Sequence, residues 1–461
     1  MPDATTCIDE AWLAAPVATD PLRELAPLRR HLKAICVAGA TQESGSRQIE
    51  TCRPRIEAAD RAVLDLLADA SLPMPAAMRQ VALTLDEIHA LCVAALDQEA
   101  RSNSDAARQL YHLQRRYLLA LMSFRAPPAD LLPRAIAIYR LADGLEARIS
   151  FGALLALVVV RIEGFAPWEI ALIAQAAEYC AGRIDIRPTL PEQPNSWYWL
   201  TRTGHQRPIA WSRQPPTCRP ELLYFDCSEM ADAVSGLARQ LNSGTPARLL
   251  GLPPAANLPA SVEALQRAAS RWRAPQERLF QRHELISGMQ ICCRIGELWR
   301  SLRGEEGDDI DVSQWMTLNT GPQGYAVMHL QGNVGGLTAG SALGIRSAGD
   351  ADWAVCLVRW ARSDNPAHIE LGLERIAPNA KAVHIAPPNA EPVAALLLPP
   401  QPSSAMTETL LASREQMPLS EFTLIEEDLG RVKLTACKTG LLRHQTTATD
   451  VREFQRITLP R

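Results

Sequence analysis

The stretch RLFQR at residues 278–282, followed by NTGPQG at residues 319–324, is the part of the sequence from which the fold can be read. Arg278 and Arg282 are four residues apart, and the second motif places two glycines in a turn. After Arg282 the chain changes from long helical patterns to short apolar segments broken by Gly, Asn and Asp. The two motifs therefore mark the entrance to a β-rich domain.

Short segments with the pattern of β-strands follow Arg282 at regular spacing. They are predicted at residues 289–295, 325–330, 342–346, 353–360, 368–373 and 382–385. This spacing is typical of a small antiparallel barrel or sandwich. A second β set is predicted at residues 393–398, 410–412, 421–426, 431–437 and 445–448, which either extends the barrel or forms a second small one.

The first part of the chain has a strong helical pattern. Apolar residues of segment 57–148 recur at the spacing of a core-facing helix stripe, and prolines in segments 71–75 and 126–128 divide the pattern into separate helices. These features predict an antiparallel α-helical array. His89 and His112 lie on these helices, and we interpret both as structural histidines.

A proline-rich segment at residues 188–222 contains Trp197, Trp199 and Trp211. Tryptophans can stack on nucleic-acid bases, but no basic patch accompanies these three. We therefore predict that they pack against the core of a mixed α/β region.

Composition excludes several classes of protein. The chain has 461 residues and a net charge of −4, which argues against a general nucleic-acid binder. Its eleven cysteines lack CxxC spacing, so we predict neither a disulfide framework nor a metal site. The start of the chain does not resemble a signal peptide, and the most apolar run, residues 151–160, is shorter than the about 20 residues that span a bilayer. We expect a cytoplasmic protein without membrane insertion.

Common catalytic motifs are absent from the sequence. It contains no GxxxxGK[ST], no HExxH, no GxSxG and no GxGxxG that opens a helix. We therefore predict no catalytic residues, no cofactor and no enzymatic activity. An enzyme hidden in residues 150–260, where nothing has catalytic spacing, is the weakest alternative.

Residues 278 to about 376 resemble the PilZ domain, a small β-barrel that binds cyclic di-GMP in bacteria. The family pattern is RxxxR just before the barrel, then D/N-x-S-x-x-G on its first strands. Arg278 and Arg282 match the first part, and residues 319–324 match the second, except that Gly321 stands where the family has serine. LVRW at residues 357–360 and LGL at residues 371–373 resemble the later strands.

Context, rather than the arginine spacing, carries this resemblance. Four arginine pairs in the chain have the RxxxR spacing: 183/187, 267/271, 278/282 and 452/456. Of these, the 278/282 pair stands immediately before a β-run and upstream of an NxxxxG turn.

The resemblance implies a ligand site formed by Arg278, Arg282, Asn319, Gly321 and Gly324. A guanidinium can donate two hydrogen bonds to guanine O6 and N7 or to a phosphate. An asparagine amide offers a donor and an acceptor to a guanine edge, and a glycine permits a tight turn and close backbone approach.

The predicted fold class is therefore α+β and multidomain, with an N-terminal α-helical array followed by a C-terminal antiparallel PilZ-like β-barrel and an extra β extension. The predicted division is an α-helical domain at residues 1–148, a mixed α/β region at 149–260, the barrel with its preceding helix and RxxxR linker at 261–390, and the β extension or second small barrel at 391–461.

Two functions remain open from the sequence. The first is a non-enzymatic cyclic di-GMP receptor that couples ligand binding to a protein partner of the helical region, in bacterial motility, biofilm or polysaccharide control. The alternative is an adaptor whose barrel binds no nucleotide. The serine replaced by Gly321 is the residue on which the two hypotheses diverge.

Overall fold

The chain divides into two compact units in the computed structural model. One unit, the helical unit, comprises Met1–Ala70, Met74–Ile162 and Pro167–Glu277, and the other, the barrel unit, comprises Ser71–Pro73, Glu163–Ala166 and Arg278–Arg461. The structure describes residues 10–38, 42–97, 103–274 without 193, 202, 205 and 218–221, 282–388 without 305–309, 348 and 351, and 391–400, 408–413, 421–428, 431–438 and 454–459.

The helical unit is built from helices whose apolar faces form its core. These helices are α1 (Glu10–Ala14), α2 (Leu25–Ala38), α3 (Gln42–Ala68), α4 (Ala76–Asp97), α5 (Asn103–Met122), α6 (Leu131–Leu141), α7 (Leu145–Val159), α8 (Pro167–Cys180), α9 (Ser228–Asn242) and α10 (Pro259–Arg273). In α4, the residues Leu85, Ile88, Cys92 and Leu96 are at most 1 % exposed, as the periodicity predicts. The predicted helical array is confirmed.

The most apolar run of the sequence lies in α7. Phe151, Leu154 and Leu157 are completely buried there, and neighbouring positions around the helix are buried as well. A helix that is apolar on all sides is typical of a protein interior. Among the described residues, no helix has both the length and the apolarity to cross a bilayer.

A small antiparallel sheet completes the helical unit. It contains β1 (Asp185–Arg187), β2 (Tyr198–Thr201), β3 (Ile209–Ala210) and β4 (Leu222–Asp226), in the order β1-β4-β2-β3. Trp197 and Trp199 are each 7 % exposed and form a hydrophobic cluster with Leu222 and Tyr224. The predicted packing role of these tryptophans is therefore confirmed.

The barrel unit contains a closed barrel of six antiparallel strands. They are β5 (His283–Cys292), β6 (Val312–Gly321), β7 (Gly324–Gln331), β8 (Ala342–Ser347), β9 (Ala354–Asn365) and β10 (His368–Ala377), in the order β10-β7-β6-β5-β8-β9. Its position after Arg282 confirms the predicted barrel.

Three elements of the barrel unit differ from the sequence prediction. Residues 382–385, which were expected in the barrel set, lie in a strand of the second sheet, Lys381–Ala386. A strand was expected at residues 289–295, but β5 ends at Cys292 and a helix, α11 (Ile295–Leu302), begins three residues later. No strand was expected before Asn319, yet β6 extends ten residues and includes both Asn319 and Gly321. The predicted turn is accordingly reduced to two residues.

The predicted β extension is a six-stranded antiparallel sheet. It consists of β11 (Lys381–Ala386), β12 (Val393–Leu398), β13 (Glu408–Ser413), β14 (Glu421–Asp428), β15 (Arg431–Lys438) and β16 (Phe454–Leu459), in the order β15-β14-β11-β12-β13-β16. Leu396 and Leu398 of this sheet pack in one core with Leu298 of α11 and Val355 of the barrel. The strand predicted at residues 445–448 lies outside the described residues.

Candidate functional site

The NTGPQG motif forms the tip of the hairpin between β6 and β7. Gly321 pairs with Gly324 across the hairpin, so Pro322 and Gln323 alone make the turn. Both turn residues are exposed. The hairpin therefore presents Asn319 near one end of the barrel.

Arg282 lies beside this hairpin, immediately before β5. Its Nη1 donates a hydrogen bond to Oδ1 of Asn319 at 3.1 Å. The strand register explains the approach, because Glu284 of β5 stands opposite Asn319 of β6. The structure thus brings together two predicted site residues that are 37 positions apart in the chain.

The first residues of β5 leave the regular ladder at this point. The register between β5 and β6 shifts between Glu284 and Ser287, and Leu285 and Ile286, between them, are 46 % and 78 % exposed. Arg282 is exposed as well. The candidate site is therefore open to solvent.

Gly324 is a packing requirement of the barrel itself. A Cβ atom at this position would lie 2.0 Å from the carbonyl oxygen of Leu373 and 3.0 Å from its carbonyl carbon. Gly324 pairs with Glu374 of β10, so strands β7 and β10 approach closely where the motif ends. This glycine fixes the base of the hairpin that carries Asn319.

Arg375 also stabilises the hairpin of the candidate site, although the sequence motif does not include it. Its backbone N–H donates to the carbonyl oxygen of Gln323 at 2.8 Å, and its Nη2 donates to that of Pro322 at 3.1 Å. Arg375 therefore holds the two-residue turn from the neighbouring strand. Since 53 positions separate it from Pro322, no local sequence signal could have identified it.

The later motif segments meet across strands β9 and β10. Trp360 stands opposite Gly372, and its indole Nε1 lies 1.9 Å from where a Cβ of Gly372 would be. The indole covers the glycine, which accounts for the combination of tryptophan and glycine at these positions. Arg278 lies outside the described residues.

The geometry defines what this site can bind. The bond from Arg282 uses the acceptor oxygen of Asn319, and no described residue accepts a hydrogen bond from its amide nitrogen. A guanidinium and an amide N–H₂ on an open barrel end are donors suited to phosphate oxygens or to guanine O6 and N7. Among the described residues, no group of His, Cys, Asp or Glu side chains is arranged to hold a metal ion.

The segment that forms most of the barrel matches a known protein family. Residues 297–382 match the family model described as "Cyclic-di-GMP receptor FimW, middle PilZ domain". The matched segment includes Asn319, Gly321 and Gly324, whereas Arg278 and Arg282 precede it. No curated protein and no solved structure matches the chain. The C-terminal part of the chain contains a PilZ domain.

Proposed function

We propose, from the PilZ domain in this chain, that the protein is a non-enzymatic receptor for cyclic di-GMP. The ligand would be held at the open barrel end by Arg278, Arg282, Asn319, Gly321 and Gly324. The hydrogen bond from Arg282 to Asn319 is the observation that carries the proposal, since it places guanidinium and amide groups together beside the motif hairpin. Cyclic di-GMP offers phosphate and guanine acceptors to both.

Calorimetric titration of the full chain with cyclic di-GMP tests this proposal. We expect saturable binding that weakens about tenfold to a hundredfold in Arg282→Ala, because one two-pronged guanidinium contact contributes about 1–3 kcal/mol. The double variant Arg278→Ala/Arg282→Ala should abolish measurable binding. Arg362→Ala is a matched control, because it removes an exposed arginine near the end of β9, paired with Asp364 rather than with the site.

Failure to bind would favour the second candidate, an adaptor whose barrel takes no nucleotide. Gly321 is the observation behind it, because the family's serine hydroxyl is missing there. Gly321 is not among the glycines with positive φ, so its backbone conformation is open to serine. We expect Gly321→Ser to tighten binding about fivefold if the site takes the nucleotide, the effect of one added hydrogen bond. If neither wild type nor Gly321→Ser binds cyclic di-GMP, the result supports the adaptor.

The wider role is part of the same proposal. Ligand binding would change how the helical region engages a protein partner, which requires different ligand affinities for two arrangements of the protein. We place this role in bacterial motility, biofilm or polysaccharide control, and in the cytoplasm. Capture of a partner from a bacterial lysate with and without cyclic di-GMP tests the coupling, and capture indifferent to the nucleotide contradicts it.

A further inference from the structure

The helical unit contains a cleft that the cyclic di-GMP proposal does not use. Its volume is about 1080 Å³, and its walls come from α3, α5, α7 and α8, from residues 253–255 and from Ser261 of α10. This volume is comparable to that of pockets that hold small molecules. All of the lining residues belong to the helical unit.

A buried chain of hydrogen bonds ends at this cleft. Nε2 of His89 lies 3.3 Å from Oδ1 of Asp60, and Nδ1 of His89 lies 2.9 Å from Nδ1 of His112. All three side chains are at most 5 % exposed. A carboxylate only accepts hydrogen bonds, so the His89 tautomer that satisfies both contacts donates from Nε2 to Asp60 and accepts at Nδ1. With this tautomer of His89, we assign the proton of His112 to Nδ1.

This assignment leaves Nε2 of His112 as an unprotonated acceptor. The ring of His112 lines the cleft, and no residue described by the structure donates a hydrogen bond to its Nε2. His112 is 5 % exposed, so the acceptor belongs to a nearly buried side chain. Burial and the neighbouring His89 lower the pKa of His112 well below its usual value, which keeps the imidazole neutral. A ligand in the cleft therefore meets a hydrogen-bond acceptor there.

Carboxylates outnumber guanidinium groups around the same cleft. At its base, Arg115 lies between two carboxylates, with Nε 3.2 Å from Asp60 and Nη2 3.3 Å from Glu178. Two further lining carboxylates, Asp65 and Glu146, are exposed to solvent. They form no ion pair with any described residue. The lining carboxylates are Glu50, Glu57, Asp60, Asp65, Glu146 and Glu178, and the lining arginines are Arg53, Arg61, Arg108 and Arg115. By formal charge, the lining of the cleft has a negative balance, which favours a cation.

We propose that this cleft binds an organic cation, an ammonium or guanidinium group on an aliphatic chain. An N–H of the cation donates to Nε2 of His112, and the excess carboxylates balance its charge. Trp168 and the apolar lining residues Ile149 and Leu172 receive the aliphatic chain. Two sources share this chemistry, namely a free polyamine and an arginine or lysine side chain of a peptide.

Titration of the full chain with two probes, spermidine and N-acetyl-arginine amide, tests the proposal. We expect saturable binding of at least one probe. Tighter binding of spermidine identifies a polyamine as the ligand, and tighter binding of the arginine derivative identifies a peptide side chain. Absence of binding of both probes overturns the proposal.

Variants locate the binding within the cleft. His112→Asn keeps an N–H for His89 and removes the Nε2 acceptor, so the affinity should fall about tenfold. Asp65→Asn/Glu146→Gln removes two exposed lining charges, and the expected loss is about fivefold. Its matched control, Glu192→Gln/Glu229→Gln, removes two exposed charges outside the cleft and should leave binding unchanged.

Equal affinity in wild type, His112→Asn and the double variant of the lining charges contradicts the proposal. If His112→Asn does not fold, the exposed double variant decides. Arg282→Ala should leave the cation affinity unchanged, so that failure of this proposal is separate from failure at the barrel.

Discussion

At the scale of single residues, Gly324 shows how one motif position serves the fold. A methyl group there would overlap the backbone of Leu373, and backbone cannot move aside as a flexible side chain does. We expect Gly324→Ala to lower the free energy of unfolding by about 3 kcal/mol, as for overpacking of a closed core. Urea denaturation followed by circular dichroism measures this loss.

Gly288 of β5 provides the control for that variant. No heavy atom lies within 4 Å of a Cβ built there, and its φ is not positive. Gly288→Ala should change stability by less than about 1 kcal/mol, because it mainly restricts the unfolded chain. Equal effects of the two alanines would show that the contact with Leu373 is unimportant.

Because His112 is buried in the folded protein, we expect the stability of the protein to depend on pH. Burial lowers its pKa in the folded protein, while the unfolded chain takes up a proton below pH of about 6.5. The unfolded state therefore binds more protons as pH falls, and stability decreases. Between pH 7.5 and 5.5 this one group contributes a loss of about 1.4 kcal/mol.

Comparison with His112→Asn isolates this contribution. Burial raises the pKa of Glu178, which gives stability the opposite pH dependence, and this dependence is common to both proteins. Denaturation at pH 7.5 and 5.5 should show that the free energy of unfolding decreases more in wild type than in His112→Asn. Parallel losses would mean that His112 does not titrate differently on unfolding.

At the scale of elements, α11 holds the barrel and the second sheet in one core. Leu298 is completely buried, and its Cδ1 would lie 2.6 Å from a Cβ of Gly344. Trp299 Nε1 also donates to the carbonyl oxygen of Val383 at 2.8 Å. We expect Leu298→Ala to destabilise the barrel unit by about 2–5 kcal/mol through the cavity it leaves. Denaturation measures the loss, and Arg300→Ala on the same helix is the control.

Strand β6 shows why part of the fold could not be read from the sequence. Its buried positions include Ser313 and Thr317, whereas Met316 and Leu318 are less buried. At these four positions the usual alternation of apolar inside and polar outside is reversed, whereas the buried Trp315 between them follows it. Hydrogen bonds satisfy the buried Ser313, whose Oγ accepts from Trp315 Nε1 at 2.7 Å and donates to the carbonyl oxygen of Ile291 at 3.1 Å. In strands such as β12, apolar residues such as Leu396 and Leu398 are the buried ones, so the sequence predicted the strand.

The candidate site was predictable to the extent that its residues form a local motif. Asn319, Gly321 and Gly324 are close in the sequence and lie in one hairpin. Arg282 directly precedes a β-run in the sequence, and in the structure it contacts Asn319 of that hairpin. Arg375 and the cleft residue His112 depend on long-range register and helix packing. A single sequence contains no direct record of such contacts.

At the scale of the whole molecule, each unit buries apolar residues of its own and contains a separate candidate site. The barrel end presents hydrogen-bond donors to an anionic ligand, and the cleft presents an acceptor and excess carboxylates to a cation. Under the two proposals, the sites select ligands of opposite charge. The proposed coupling between the two units predicts that ligand binding in one unit changes the stability of the other.

Hydrogen exchange measured by mass spectrometry tests this coupling. With cyclic di-GMP at about 100 times its Kd, amides of β6 and β7 that exchange through unfolding of the barrel unit should slow about a hundredfold, since binding adds about 2.7 kcal/mol to the native state. A coupled receptor also changes the exchange of α5 in the helical unit. The double variant Arg278→Ala/Arg282→Ala should show neither effect. Slowing confined to the barrel unit would contradict coupling while leaving the receptor role intact, and no slowing in either unit would contradict both.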